Sequence, residues 1–331
     1  MHMARLRTLL VLVLVPLTIA AACSDGGGED GGSNEDALVF ATTTIWADVV
    51  EQVACGAIDV PSLVPPGSDA HSYEPTVRDA DRLRGARLVG ATGRGLEGPG
   101  GDARDAARRE GVAVHEVGAS LEAHLAGEDD RAEEDGHAEE EPAEGAHDHG
   151  GEDPHVWMDP LLVAEAVPAL RDALGEVEDL GVPPAELERC AADFVDQLGD
   201  LVEEGRSMLS AVPGARRRLV TDHEALGHFA ARFDLEVVGA VVPSTDSLAE
   251  ANPRDLDELE STMRTEGVRV VVVEHGSAQE QADALAERLG RDTRVVELHT
   301  ESLGGEGAPS GYLDLIRTDV ELLADALGAA S

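Results

Sequence analysis

The sequence predicts an α/β protein of two lobes, each a parallel sheet flanked by helices, joined by one long rigid helix. Three observations lead there. Short runs rich in Val, Leu and Ile alternate with stretches of helical spacing, and strands that alternate with helices pair in parallel. The alternation occurs twice, once on each side of residues 183–212. That middle stretch opens on Pro183-Pro184 and meets no breaker beyond Gly199 and Gly205. It carries Leu187, Phe194, Leu198, Leu201 and Leu209, and at ~1.5 Å per residue it is long enough to span a small domain.

The elements follow in order. Arg5 and Arg7 precede an apolar run from Leu9 to Ala22 that Pro16 interrupts. It is too short and wrongly flanked for a membrane span, so residues 1–22 read as a secretory signal peptide. Small residues before Cys23, then a Gly/Asp/Glu-rich stretch, resemble a bacterial lipoprotein processing site, with 23–36 as a lipid-anchored flexible tether. The first lobe, 37–182, starts with a strand at 38–43 and a helix around 45–54. Further strands are predicted at 58–64, 87–91 and 112–117, with helices after Pro75 and around 102–110. Within this lobe, 126–153 is nearly all acids, Gly and Ala, with His137, His147 and His149 among them. Such a composition builds no core and predicts a mobile loop that samples metal weakly. The second lobe, 213–331, has strand-like runs at 219–221, 236–242, 268–274 and 294–298.

Composition removes several function classes. Of the 331 residues only 2% are aromatic, and 67 acids against 25 bases give a formal charge of −42. That charge repels phosphate backbones, so nucleic acid is not an expected partner. All the bases are Arg, which excludes a lysine Schiff base and a phosphate-loop lysine. Once Cys23 is set aside, Cys55 and Cys190 remain, and export makes them a disulfide candidate pair; two buried thiols are the alternative.

Four residues stand beyond predicted strand ends, where open α/β sheets place their ligand sites. They are His71, His155, His223 and Glu301. Three imidazoles and a carboxylate suit Zn²⁺, a borderline ion usually held four-coordinate. Glu74, His275 and His299 are candidates to support these four from behind, Glu74 alternatively as a helix cap. His228 is placed on the far face of a helix shared with His223, because five residues rotate about 140°.

The surrounding motifs make the reading specific. Ala41-Thr42-Thr43-Thr44-Ile45, the block 63–75 around His71, Asp153-Pro154-His155-Val156-Trp157-Met158-Asp159-Pro160, residues 220–229 around His223 and Gly311-Tyr312-Leu313 stand in order along the mature chain. Together they resemble the zinc and manganese solute-binding proteins of ABC importers, the cluster A-I group. The resemblance implies no enzyme activity. It implies an extracytoplasmic, lipid-anchored receptor that binds Zn²⁺ with high affinity and delivers it to a membrane permease and its ATPase. It carries the metal ligands over to His71, His155, His223 and Glu301, with water or a neighbour as alternatives at the fourth position. In manganese-tuned relatives the third position is a carboxylate; His223 there argues for zinc, with Mn²⁺ the alternative. Relatives carry Asn where this chain has Asp319. A metal-dependent surface adhesin and a secreted zinc hydrolase are the rival functions. The hydrolase rests on His223-Glu224-Ala225-Leu226-Gly227-His228, whose second His falls one residue late for two ligands on one helix face.

Overall fold

Parallel strands with helices returning between them build both halves. The computed structural model describes residues 37–121, 153–245, 252–274, 279–290, 292–305 and 307–328. The signal peptide, Cys23 and its tether, His137, His147, His149 and His275 lie outside the described residues.

In the first lobe β1 (Val39–Ala41), β2 (Leu88–Ala91) and β3 (Ala113–Glu116) form a parallel sheet in that order. Every residue of β1 and β2 is buried, as strands covered on both faces require. Helix α1 (Thr44–Val53) starts where the Thr43 hydroxyl accepts the Trp46 N–H, and it buries Ile45, Trp46, Val49, Val50 and Val53. Helix α2 (Val77–Gly85) opens on a reciprocal cap between Thr76 and Asp79, which satisfies two otherwise orphaned N–H groups. Helix α3 (Gly98–Arg109) returns the chain to β3.

The strand expected at 58–64 is reduced to one bridge between Ala41 and Ser62. Pro61 has no N–H to give, so a continuous ladder cannot form. What remains is Ala41 N–H to the Pro61 carbonyl (3.0 Å), Leu63 N–H to Ala41 (2.8 Å) and Val64 N–H to Thr42 (2.9 Å). These bonds still hold the segment along β1 and deliver the chain to His71.

The second sheet contains β4 (Arg218–Thr221), β5 (Glu236–Ala240), β6 (Val270–Glu274) and β7 (Arg294–Leu298), parallel and ordered β5-β4-β6-β7. Around it lie α6 (Gly227–Phe233), α7 (Pro253–Glu266), α8 (Gln279–Leu289) and α9 (Tyr312–Leu327). Between the sheets run α4 (Pro160–Gly175) and the 26-residue α5 (Pro184–Leu209). Leu187, Ala191, Phe194, Leu198, Leu201, Val202, Gly205 and Leu209 are buried along α5, an apolar stripe at helical spacing. The stripe packs against α1 and α4 on one side and α6 and α9 on the other. At Gly205 a Cβ would stand 2.6 Å from the Phe233 ring, so glycine permits this close approach. A disulfide joins Cys55, just past α1, to Cys190 on α5, with Cα atoms 5.5 Å apart.

One apolar core runs from β1, α1 and α4 through α5 into Leu219, Leu298 and α9, so the two sheets share it. Smaller cores lie beneath α7 and α8 and beneath α2 and α3. Among the described residues no helix is long and apolar enough to cross a membrane.

Candidate metal centre

The C-terminal edges of both sheets supply the site, as the geometry of open α/β sheets dictates. His71 follows the segment beside β1, and His155 precedes the short 3-10 turn Val156–Met158. His223 follows β4 and Glu301 follows β7. All four are buried, at 7%, 0%, 3% and 6% exposure respectively. One donor atom from each lies within 4.8 Å of every other. Glu301 Oε1 is 3.0 Å from His71 Nε2, 3.7 Å from His155 Nε2 and 3.9 Å from His223 Nε2. The Nε2 atoms of His71 and His155 are 3.4 Å apart. A tetrahedron with metal–donor bonds of ~2.0–2.1 Å has edges of about 3.3 Å, and these separations straddle that value.

Carboxylates behind two of the imidazoles fix which nitrogen faces inward. Asp153 Oδ1 lies 2.8 Å from His155 Nδ1, and Asp222 Oδ1 lies 3.1 Å from His223 Nδ1. A proton on Nδ1 satisfies each contact and leaves the Nε2 lone pair for the centre. His223 Nε2 and Glu301 Oε1 are buried without an aligned hydrogen bond. Such orphaned acceptors are costly unless a cation or proton answers them. Burial alone would lower the His155 pKa, but the hydrogen bond to Asp153 and the negative charge of nearby Glu301 outweigh it and push the imidazole up to about 9. Burial likewise opposes the charge on Glu301, yet His155 and His71 hold it far below the usual carboxylate range. The cluster therefore attracts positive charge strongly.

A third acid closes the site from the second lobe. Asp222, His223 and Glu274 also offer donor atoms within 4.8 Å of one another. Loss of solvation and the nearby Glu301 carboxylate push Glu274 well above the usual range, against the hydrogen bond from Thr300. Contacts between the lobes ring the cluster. The Trp157 indole N–H donates to the Thr300 carbonyl at 2.6 Å, and the Tyr312 hydroxyl donates to the Trp157 carbonyl at 2.6 Å. Leu303 N–H donates to Thr44 Oγ1, and Gly67 N–H donates to Ser302 Oγ, both at 2.8 Å. Arg232 grips both oxygens of Asp159 at 2.6 and 2.7 Å.

Other sequence expectations need correction. Glu74 is exposed, and Thr76 with Asp79 caps α2, so Glu74 neither caps that helix nor lies buried behind His71. His223 is not on a helix: Glu224 N–H donates to the Ser244 carbonyl and α6 starts only at Gly227. His228 therefore shares no helix with His223, and its Nε2 is 3.7 Å from Asp153 Oδ2. His299 touches the frame through its backbone, donating its N–H to Asp319 Oδ1 at 3.0 Å. Asp153, Asp222, Glu274, Thr300 and Trp157 were missed. For the first two a signal existed, since each acid stands within two residues of a ligand-type His.

Comparison with known proteins places the chain in a family. Residues 39–326 match the family described as zinc-uptake complex component A, periplasmic. The chain is 28% identical over 309 residues to the zinc-binding protein TroA of Treponema pallidum, covering 91% of this chain and 92% of that one. It is 26% identical over 335 residues to the manganese ABC transporter substrate-binding lipoprotein PsaA of Streptococcus anginosus, covering 98% and 99%. The solved structure of periplasmic TroA superposes with a TM-score of 0.73 at 24% identity, over 88% of this chain and 99% of that one. Match length, lobe architecture and the buried His/Glu cluster lead to one conclusion: the chain belongs to the zinc-uptake component A family and is a substrate-binding receptor of a metal ABC importer, not an enzyme.

Proposed function

We propose that this chain is an extracytoplasmic zinc receptor, anchored to the membrane through a lipid on Cys23, that passes Zn²⁺ to an ABC permease driven by its ATPase. His71, His155, His223 and Glu301 are the ligands. The observation that carries the reading is the donor set itself: three Nε2 atoms and one carboxylate oxygen, buried and spaced near the edges of a zinc tetrahedron. Nitrogen donors suit zinc better than manganese, which favours oxygen-rich, six-coordinate sites. Having His at 223 rather than a carboxylate shifts the balance the same way.

Metal content tests the assignment. The chain purified without chelator is expected to hold one zinc, retained against excess manganese, and His71→Ala is expected to lose it. Unchanged zinc stoichiometry in His71→Ala would sink the ligand assignment. Displacement of zinc by equimolar manganese would leave the importer role standing and replace the cargo.

A further inference from the structure

The two oxygens of Glu301 have different tasks. Oε1 faces the three imidazole Nε2 atoms at 3.0, 3.7 and 3.9 Å. Oε2 accepts the backbone N–H of Ala70 at 3.4 Å. The neighbouring residue is gripped more firmly. Thr300 donates its hydroxyl to Glu274 Oε1 at 2.5 Å, and its carbonyl accepts the Trp157 indole N–H at 2.6 Å. Glu274 is anchored in turn: its backbone N–H donates to Asp222 Oδ2 at 2.8 Å. The other oxygen of Asp222 is the one that faces His223 Nδ1. A carboxylate outside the four-donor set thus ties together the loops that present both second-lobe donors.

We propose that the Thr300–Glu274 hydrogen bond holds Glu301 so that Oε1 alone reaches the metal, which keeps the site four-coordinate and favours zinc over manganese. The inference rests on the zinc reading of the site. Its chemical basis is general. Zinc accepts four donors without penalty, whereas manganese gains from added oxygen ligands. If the loop were released, Glu301 could turn its second oxygen inward, adding an oxygen ligand that benefits manganese more. Thr300 and Glu274 are positioning residues in this scheme, because they act through Glu301 and lie outside the four-donor set.

Three variants test it. Thr300→Val keeps the side-chain shape and removes the hydroxyl, Thr300→Ser keeps the hydroxyl, and Thr300→Ala removes the same bond should the valine not fold. Zinc and manganese affinities are measured by competition with a chelating indicator, and the visible spectrum of the Co²⁺-loaded protein reads coordination number. Wild type and Thr300→Ser are expected to give the intense bands of four-coordinate cobalt. Thr300→Val and Thr300→Ala are expected to give the weaker bands of five-coordination, with the zinc-to-manganese affinity ratio lowered about tenfold, in the range of lost outer-shell partners. A five-coordinate spectrum in the wild type would overturn the proposal. So would an equal loss for both metals with an unchanged cobalt spectrum, which is what a merely structural hydrogen bond would give. A wild-type chain that prefers manganese would instead overturn the zinc reading, and that is seen before any variant is compared.

Discussion

The Asp159–Arg232 pair offers a quantitative test of how the lobes are fastened. Asp159 heads α4 beside the first lobe, and Arg232 lies on α6 of the second. The side chains are 6% and 19% exposed, and the guanidinium spans both carboxylate oxygens. Asp159 Oδ1 also accepts the Leu161 N–H at 2.9 Å, capping α4. Arg232→Ala leaves a buried carboxylate with that cap as its remaining support. Breaking a buried pair from one side costs ~3–5 kcal/mol, and partial exposure of the arginine places this one at about 3. Asp159→Ala loses the cap as well, which adds about 1 kcal/mol, for about 4 in total. In the double variant neither charge is stranded, so its cost is about 5 rather than about 7, a coupling of about 2 kcal/mol. Urea unfolding of the metal-free, disulfide-intact chain measures all four corners. Additivity within ~0.5 kcal/mol would refute the reasoning, because the two charges would then be solvated independently.

Three other outcomes are expected. Asp319 is buried, with Oδ1 on His299 N–H and Oδ2 unpartnered, and burial raises its pKa well above the usual range despite that bond. The native state thus binds the proton more tightly, so this group's contribution falls as pH rises from about 4 towards the raised native value; thermal melts of Asp319→Asn should gain on wild type between pH 4 and 7, and a constant difference would contradict this. Gly205→Ala gains ~1 kcal/mol of helix propensity but drives a Cβ to 2.6 Å from Phe233, so chemical denaturation should show net destabilisation of about 1–2 kcal/mol, and a stabilised variant would show that α6 yields freely. Deleting residues 128–151 should remove weak extra metal binding and leave one tight zinc by calorimetry; loss of the tight transition would mean that segment supplies a ligand.

The legible part of this fold was the part set by pattern. Apolar runs gave β2, β4, β6 and β7, and the stripe from Leu187 to Leu209 gave α5, because buried strands and amphipathic helices impose their periods on sequence. That His71, His155, His223 and Glu301 could meet was legible for two reasons: motifs surround the three histidines, and Glu301 stands just past an apolar run that forms β7. The failures were local or long-range. Pro61 reduced a strand to a bridge through one missing donor. The Glu224-to-Ser244 hydrogen bond kept His223 off the helix, and no periodicity encodes such a tertiary contact. Glu274, Thr300 and Trp157 come together only once β6, β7 and the turn after His155 are folded, so spacing along the chain carried no sign of their roles.

The same contacts bear on how a metal is captured. His71 and His155 belong to the first lobe, His223 and Glu301 to the second, so the site exists only while the lobes hold their register. Much of the molecule maintains that register: a shared apolar core, α5 packed against both lobes, and the buried Asp159–Arg232 pair. The disulfide fastens α1 to α5 as well. Swinging one lobe away would tear this core, at a cost set by its buried apolar area. The loops that carry His71 and Glu301 are tied to the same frame, by the hydrogen bonds of Gly67, Ala70 and Leu303, each worth ~0.5–1.5 kcal/mol net, and by the burial of Ala70 and Leu303 in that core. A donor set held this way spends little binding energy on ordering itself.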